Sequence, residues 1–172
     1  TAFRAGAGVS VDVHSVSSLG LGGFGTPSLQ GGPDEQRGEE LHIDQETIES
    51  LRRAYEAFSR GDFDTAMEMV HPEVELVRPG GQKPLKGAAA MRAWMEPDAF
   101  EKQTIEMREF RINGNKVLVR HYARVRGAGS GIEVEDETWV LWTLNDDGLV
   151  TQVVGFLLNE EAEALEAAGL SE

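Results

Sequence analysis

From residue 44 onward, apolar side chains recur at helical spacing. Ile48, Leu51, Tyr55 and Phe58 fall on one stripe, Asp44 stands where an N-terminal cap belongs and Gly61 stops the run, so the spacing predicts an amphipathic helix. Asp62 caps a shorter helix in which Phe63, Ala66, Met67 and Val70 share a face until Pro72. Glu73 to Val77 alternates like a strand, and Pro79-Gly80-Gly81 breaks it. A third helix is predicted over Ala88 to Met95, with Met91, Trp94 and Met95 on its apolar side and Pro97 beyond its end.

The pattern then switches to period two. Strands are predicted over 102–112, 116–126, 132–144 and 149–158, separated by Asn113-Gly114, by the loop Gly127-Ala128-Gly129-Ser130-Gly131 and by Asn145-Asp146-Asp147-Gly148. Connections this short join antiparallel neighbours. A closing helix runs from Glu160 to Ala168, with Gly169 as its stop. Helices first and a curved antiparallel sheet afterwards define an α+β fold in which the N-terminal helices cover one sheet face.

Residues 1–43 differ in kind from the 44–170 domain. Nine of the 20 glycines lie in the first 40 positions, where large apolar side chains are too few to repay the entropy of ordering, so a disordered leader is expected. Val9, Val11 and Val13 alternate and leave open a short edge strand. The chain has no cysteine, which excludes disulfides, thiolate zinc sites and thiol nucleophiles. Thirty acidic against 16 basic residues give a formal charge of −14, which opposes binding to nucleic acid. No apolar run approaches the roughly 20 residues that span a bilayer, and no secretory signal is legible. The cytoplasm is the expected location.

Strand parity sorts the candidate chemistry. In 132–142 the even residues Ile132, Val134, Asp136, Thr138, Val140 and Trp142 should face the helices, as should the odd residues Val117, Val119, His121, Ala123 and Val125 of the preceding strand. Arg120, Arg124 and Arg126 then share the outer face with Glu133, Glu135 and Glu137. His121 and Asp136 are the polar exceptions on two paired apolar faces, directly or diagonally opposite, and form a candidate acid–base pair. The alternative is an internal hydrogen bond that does no chemistry. Arg78, if inward with Leu76, could hold an anionic group. Tyr55, Trp94, Thr138, Val140, Trp142 and Gly155 are the remaining candidate substrate-binding residues, Gly155 leaving room for a ligand or for a close backbone approach.

Other signals carry less. Gly20-Leu21-Gly22-Gly23-Phe24-Gly25 spells a dinucleotide fingerprint, but Thr26-Pro27 and Gly31-Gly32-Pro33 deny it the helix whose N-terminus would hold phosphate. His14, His42, His71 and His121 lack a repeated ligand spacing, so no metal is expected. The acidic run from Glu160 to Glu166 reads as the wet face of the last helix.

Several strings resemble the SnoaL-like family of the NTF2-like superfamily: Tyr55-Glu56-Ala57-Phe58-Ser59-Arg60-Gly61-Asp62-Phe63-Asp64, His71-Pro72-Glu73-Val74-Glu75, Pro84-Leu85-Lys86-Gly87, Trp142-Thr143-Leu144 and Glu160-Glu161-Ala162. The resemblance covers residues 44–170 and implies a conical α+β barrel with a deep apolar pocket. It also implies a homodimer through the outer sheet face, for which Leu118, Tyr122, Trp139 and Leu141 are the available apolar residues. In such a cone Arg78, Ala54 and Val140 stand where steroid isomerases keep their base, tyrosine and acid. Ala123, His121 and Gly155 likewise replace the Asp-Arg-Asp of limonene-epoxide hydrolases, so neither machinery is retained. The expected function is a small apolar-molecule pocket, as a cofactor-free cyclase, isomerase or lyase of a polyketide- or terpenoid-like compound in which His121 moves a proton and Asp136 orients it. The alternatives are a non-catalytic binding protein and an interaction module acting through the outer sheet.

Overall fold

The computed structural model describes Ile43, residues 45–96 and residues 100–170. The glycine-rich leader with its Val9–Val13 alternation and fingerprint match, the Asp44 cap, His14, His42 and Pro97 lie outside the described residues.

Helix α1, Gln45–Ser59, buries Ile48, Leu51, Tyr55, Ala57 and Phe58, the stripe its spacing announces. The chain reverses at Gly61, whose φ of 75° suits a residue without Cβ. Helix α2 is a single turn, Phe63–Ala66, with the Asp62 carboxylate accepting from the Thr65 amide at 3.2 Å. Val70 does not extend it. Instead Val70 opens strand β1, Val70–Val77, and Pro72 falls where the ladder slips between Val70 and Glu75, a place where its missing N–H costs no bond.

A short β2, Leu85–Lys86, and helix α3, Ala88–Met95, lead to four long strands: β3 Phe100–Asn113, β4 Lys116–Gly127, β5 Glu133–Leu144 and β6 Val150–Leu157. They form one six-stranded sheet in the order β2-β1-β6-β5-β4-β3. Neighbours are antiparallel except β1 and β6, which run parallel, so the sheet is mixed. Its inner face packs against α1 through Val117, Val119, Val140, Leu144, Val150 and Val153, with Ile43 against the same core.

The helices are not confined to one face. Helix α4, Glu161–Ala168, lies on the outer face and packs Ala164 and Ala168 against Leu118, Trp139 and Leu141, all three buried. It is tied down at its C-terminal end: Asn113 Nδ2 donates to the Ala168 and Gly169 carbonyls at 2.9 and 3.0 Å, and Lys116 Nζ to that of Ala167 at 2.7 Å. Gly169, at φ 73°, closes it in the left-handed region. Three of the four outer-face residues expected to be free for a dimer contact are therefore covered by the chain's own helix. Only Tyr122 remains, beside Arg108 and Arg124.

Beyond that helix, the outer face is charged as parity requires. Arg124 stands opposite Glu135 and contacts it at 2.7 Å, while Arg120 reaches Glu109 and Glu137 at 3.5 and 3.7 Å. Ile132 and Val134 depart from expectation. They are 65% and 54% exposed, because β4 and β5 extend past the helices that cover the rest of the inner face. Trp94 is a second departure, at 48% exposed. In the eight-residue α3, Met91 and Met95 are separated by about 40° and Trp94 lies a further 60° round, off the buried stripe. Among the described residues, no helix is long and apolar enough to cross a membrane.

Candidate functional site

The β4–β5 register pairs His121 with Thr138 and Ala123 with Asp136. Asp136 is thus diagonal to His121, one pair further from the covered end. The two differ in environment: Asp136 is exposed, whereas the imidazole is largely buried. Burial pushes the His121 pKa down to about 4, against the Asp136 carboxylate, which favours the charged ring. At neutral pH the ring is neutral.

Its hydrogen bonds run to other partners. Thr138 Oγ1 lies 2.7 Å from His121 Nε2, Tyr55 Oη lies 3.5 Å from Nδ1, and Trp142 Nε1 donates to Tyr55 Oη at 3.2 Å. Tyr55 also meets both rings edge to face. Direction follows from what each group can do. An indole N–H only donates, so Tyr55 Oη accepts from Trp142 and has its own proton to place. Nδ1 stands at the long end of hydrogen-bond range from it. With Nδ1 accepting, the imidazole proton sits on Nε2 and is donated to Thr138 Oγ1, which leaves the Thr138 hydroxyl hydrogen as the free end of the chain; with Nδ1 protonated, the Thr138 hydroxyl donates to Nε2 instead. Burial raises the Tyr55 pKa, so its phenol keeps its proton.

Thr138 sits where the wall changes character. Along the inner face of β5, Val140 is buried, Thr138 is half-buried, and Asp136 and Val134 are exposed. The same gradient runs along β6 from buried Val153 through Gly155 to exposed Leu157, which pairs with Thr138. Two concavities of about 430 and 790 Å³ open on the described surface. The smaller is lined by Asp136 with Tyr122, Leu157 and Leu158, and neither is lined by His121.

Arg78 lies one residue past the end of β1 and donates from Nη2 to the Lys83 carbonyl at 3.1 Å. The space at Gly155 is filled: a Cβ there would lie 2.8 Å from Cδ of Pro79, so close approach of the chain, not room for a ligand, explains this glycine. Gly155→Ala is expected to lower stability by about 1–3 kcal/mol through overpacking, read as a lower melting temperature; an unchanged melt would contradict the Pro79 contact. Of the sequence-predicted residues, His121, Tyr55, Thr138 and Trp142 come together, Val140 lies beneath them, Asp136 stands at the exposed end, and Trp94 is outward-facing. Among the described residues, no three His, Asp or Glu side chains group as metal ligands would.

A mixed sheet with helices packed on its inner face is the α+β fold of solved NTF2-like and SnoaL-like proteins, which this chain shares. The SnoaL-like domain model matches residues 51–153, and the chain belongs to that family. TerC, crystallised with polyporic acid, is similar at 22% identity and a TM-score of 0.56, over 71% of this chain and 96% of its own. SalBIII, an epoxide hydrolase/cyclase-like enzyme in pyran ring formation in salinomycin, is similar at 22% and 0.60, over 65% and 90%. RV0760c of Mycobacterium tuberculosis, in complex with estradiol-17β-hemisuccinate, is similar at 16% and 0.56, over 63% and 91%. At such identities the likeness shows the fold. No curated protein matches the chain.

Proposed function

We propose that the domain receives a small, largely apolar molecule on the inner face of the sheet and meets an oxygen of that molecule with the Thr138 hydroxyl. The hydrogen-bond chain from Trp142 through Tyr55 and His121 carries this reading, because with Nδ1 accepting it leaves one hydroxyl donor at the boundary between the buried and exposed parts of the wall. A preorganised donor of this kind stabilises charge developing on an enolate or alkoxide oxygen, the need shared by isomerases, cyclases and lyases that work next to a carbonyl. His121 acts behind Thr138 as a positioning residue. With Nε2 already protonated it directs a hydrogen bond outward, in place of taking a proton from substrate. The fold's occurrence in a cyclase-like enzyme and in proteins crystallised with polyporic acid and a steroid hemisuccinate supports the small-molecule part of the reading.

The neutral ketone dye prodan tests it. Bound against the inner wall, prodan should shift its emission to the blue. Thr138→Val should weaken binding about two- to tenfold and Thr138→Ser should restore it, since one hydrogen bond to a carbonyl is worth about 0.5–1.5 kcal/mol. Equal affinity for all three proteins would remove Thr138 from the site. Deuterium uptake next to the carbonyl of a bound ketone in D₂O separates the catalytic reading from non-catalytic binding, which predicts retention without exchange.

A further inference from the structure

We propose that the molecule received at this site is an anion, a carboxylate in the first instance, and that Arg78 holds its charge; this rests on the apolar-molecule reading above. Val74 and Leu76 of β1 are buried on the inner face, Leu76 pairs with Val153 and Val77 with Val154. Arg78 follows directly on the end of β1, and the Val77–Val154 register brings it level with Gly155, on the strand that ends at Thr138's partner Leu157.

Its guanidinium is incompletely satisfied. Nη2 is spent on the Lys83 carbonyl, while Nε is buried and has no hydrogen-bond partner. No carboxylate among the described residues pairs with it. Among the described residues, Arg60, Arg92, Arg108, Arg111, Arg120, Arg124 and Arg126 each contact a glutamate or aspartate, although Arg120 Nε also has no hydrogen-bond partner, and Arg52 and Arg53, which show no such contact, are exposed. A guanidinium cannot shed its proton to escape burial, so a buried N–H without an acceptor is a standing cost that an incoming anion removes. Pro79 against Gly155 and the bond to Lys83 hold the loop that follows, which fixes the base of the side chain before any ligand arrives. The chain's formal charge of −14 repels anions in general, so any preference for one must be local.

Two fluorescent probes that differ only at the terminal group, pyrenebutyrate and pyrenebutanol, decide the matter by titration at pH 7.5. The wild-type protein should bind the acid at least tenfold more tightly than the alcohol. Arg78→Gln should bring the acid down to the alcohol's affinity, and Arg78→Lys should keep part of the preference because it keeps the charge without the fork. Equal affinity of the wild-type protein for acid and alcohol, or a preference that survives in Arg78→Gln, overturns the anion inference and leaves the apolar site standing. Failure of the wild-type protein to bind either probe overturns the apolar-site reading, and the anion inference falls with it.

Discussion

Cutting Trp139 back to alanine is expected to cost the fold about 3–5 kcal/mol, within a total that for domains of this size is about 5–15 kcal/mol. Trp139 is 2% exposed and lies between Leu118 and Leu141 of the sheet and Ala164 and Ala168 of α4. The fully buried α4 side chains at the contact are Ala164 and Ala168, too small to close over the void, and Leu165 is only partly buried against the same cluster. Removing the indole therefore loses both its transfer from water and the contacts around it. Trp94→Ala is the internal control: half exposed on α3, it should change stability by no more than about 0.5 kcal/mol. Urea unfolding of the two variants reads the difference directly. A loss below 1 kcal/mol for Trp139→Ala would mean that α4 is not docked on the outer face, and would return Leu118, Trp139 and Leu141 to the surface as candidate contacts for a second copy.

The same helix shows where sequence reasoning stops. The existence of α4 is legible from Glu160 to Gly169, and its acidic first turn from the glutamates, yet its buried stripe consists of Ala164 and Ala168, whose small area carries a weak periodic signal. Which face of a sheet a terminal helix covers is set by long-range contacts such as Asn113 and Lys116 with its last carbonyls, which no local spacing encodes. Register was more accessible. The glycine loop Gly127 to Gly131 limits the β4–β5 pairing to two same-face choices, and the observed one puts His121 opposite Thr138. Parity places Ile132 and Val134 on the same face as buried Val140, but it says nothing of how far along a strand the covering helices reach, and those two stand in the open. The chain of bonds behind Thr138 needed one further fact: buried Tyr55 and half-buried Trp142 partner each other.

Between pH 7.5 and pH 5 the wild-type chain is expected to lose about 2 kcal/mol more stability than His121→Gln. In the unfolded chain an imidazole takes its proton near pH 6.5; in the folded protein burial holds that event down to about 4. The folded state thus refuses a proton that the unfolded state accepts. The contribution of the neutral ring is complete above about pH 6.5, declines as the pH falls toward 4, and below that both states carry the proton and the slope ends. Carboxylates also alter stability over this range, so the informative quantity is the difference between the two proteins' pH dependences, each measured by urea unfolding. Parallel curves would show that the ring is not held neutral by burial. A functional consequence travels with the slope: with Nδ1 accepting, a ring that stays neutral above pH 5 keeps its proton on Nε2 and its bond to Thr138 pointing one way, so prodan affinity should be flat from pH 5.5 to 8. A binding curve that titrates near 6.5 would instead place a protonating imidazole in direct contact with the ligand, and would make His121 the group that the molecule meets.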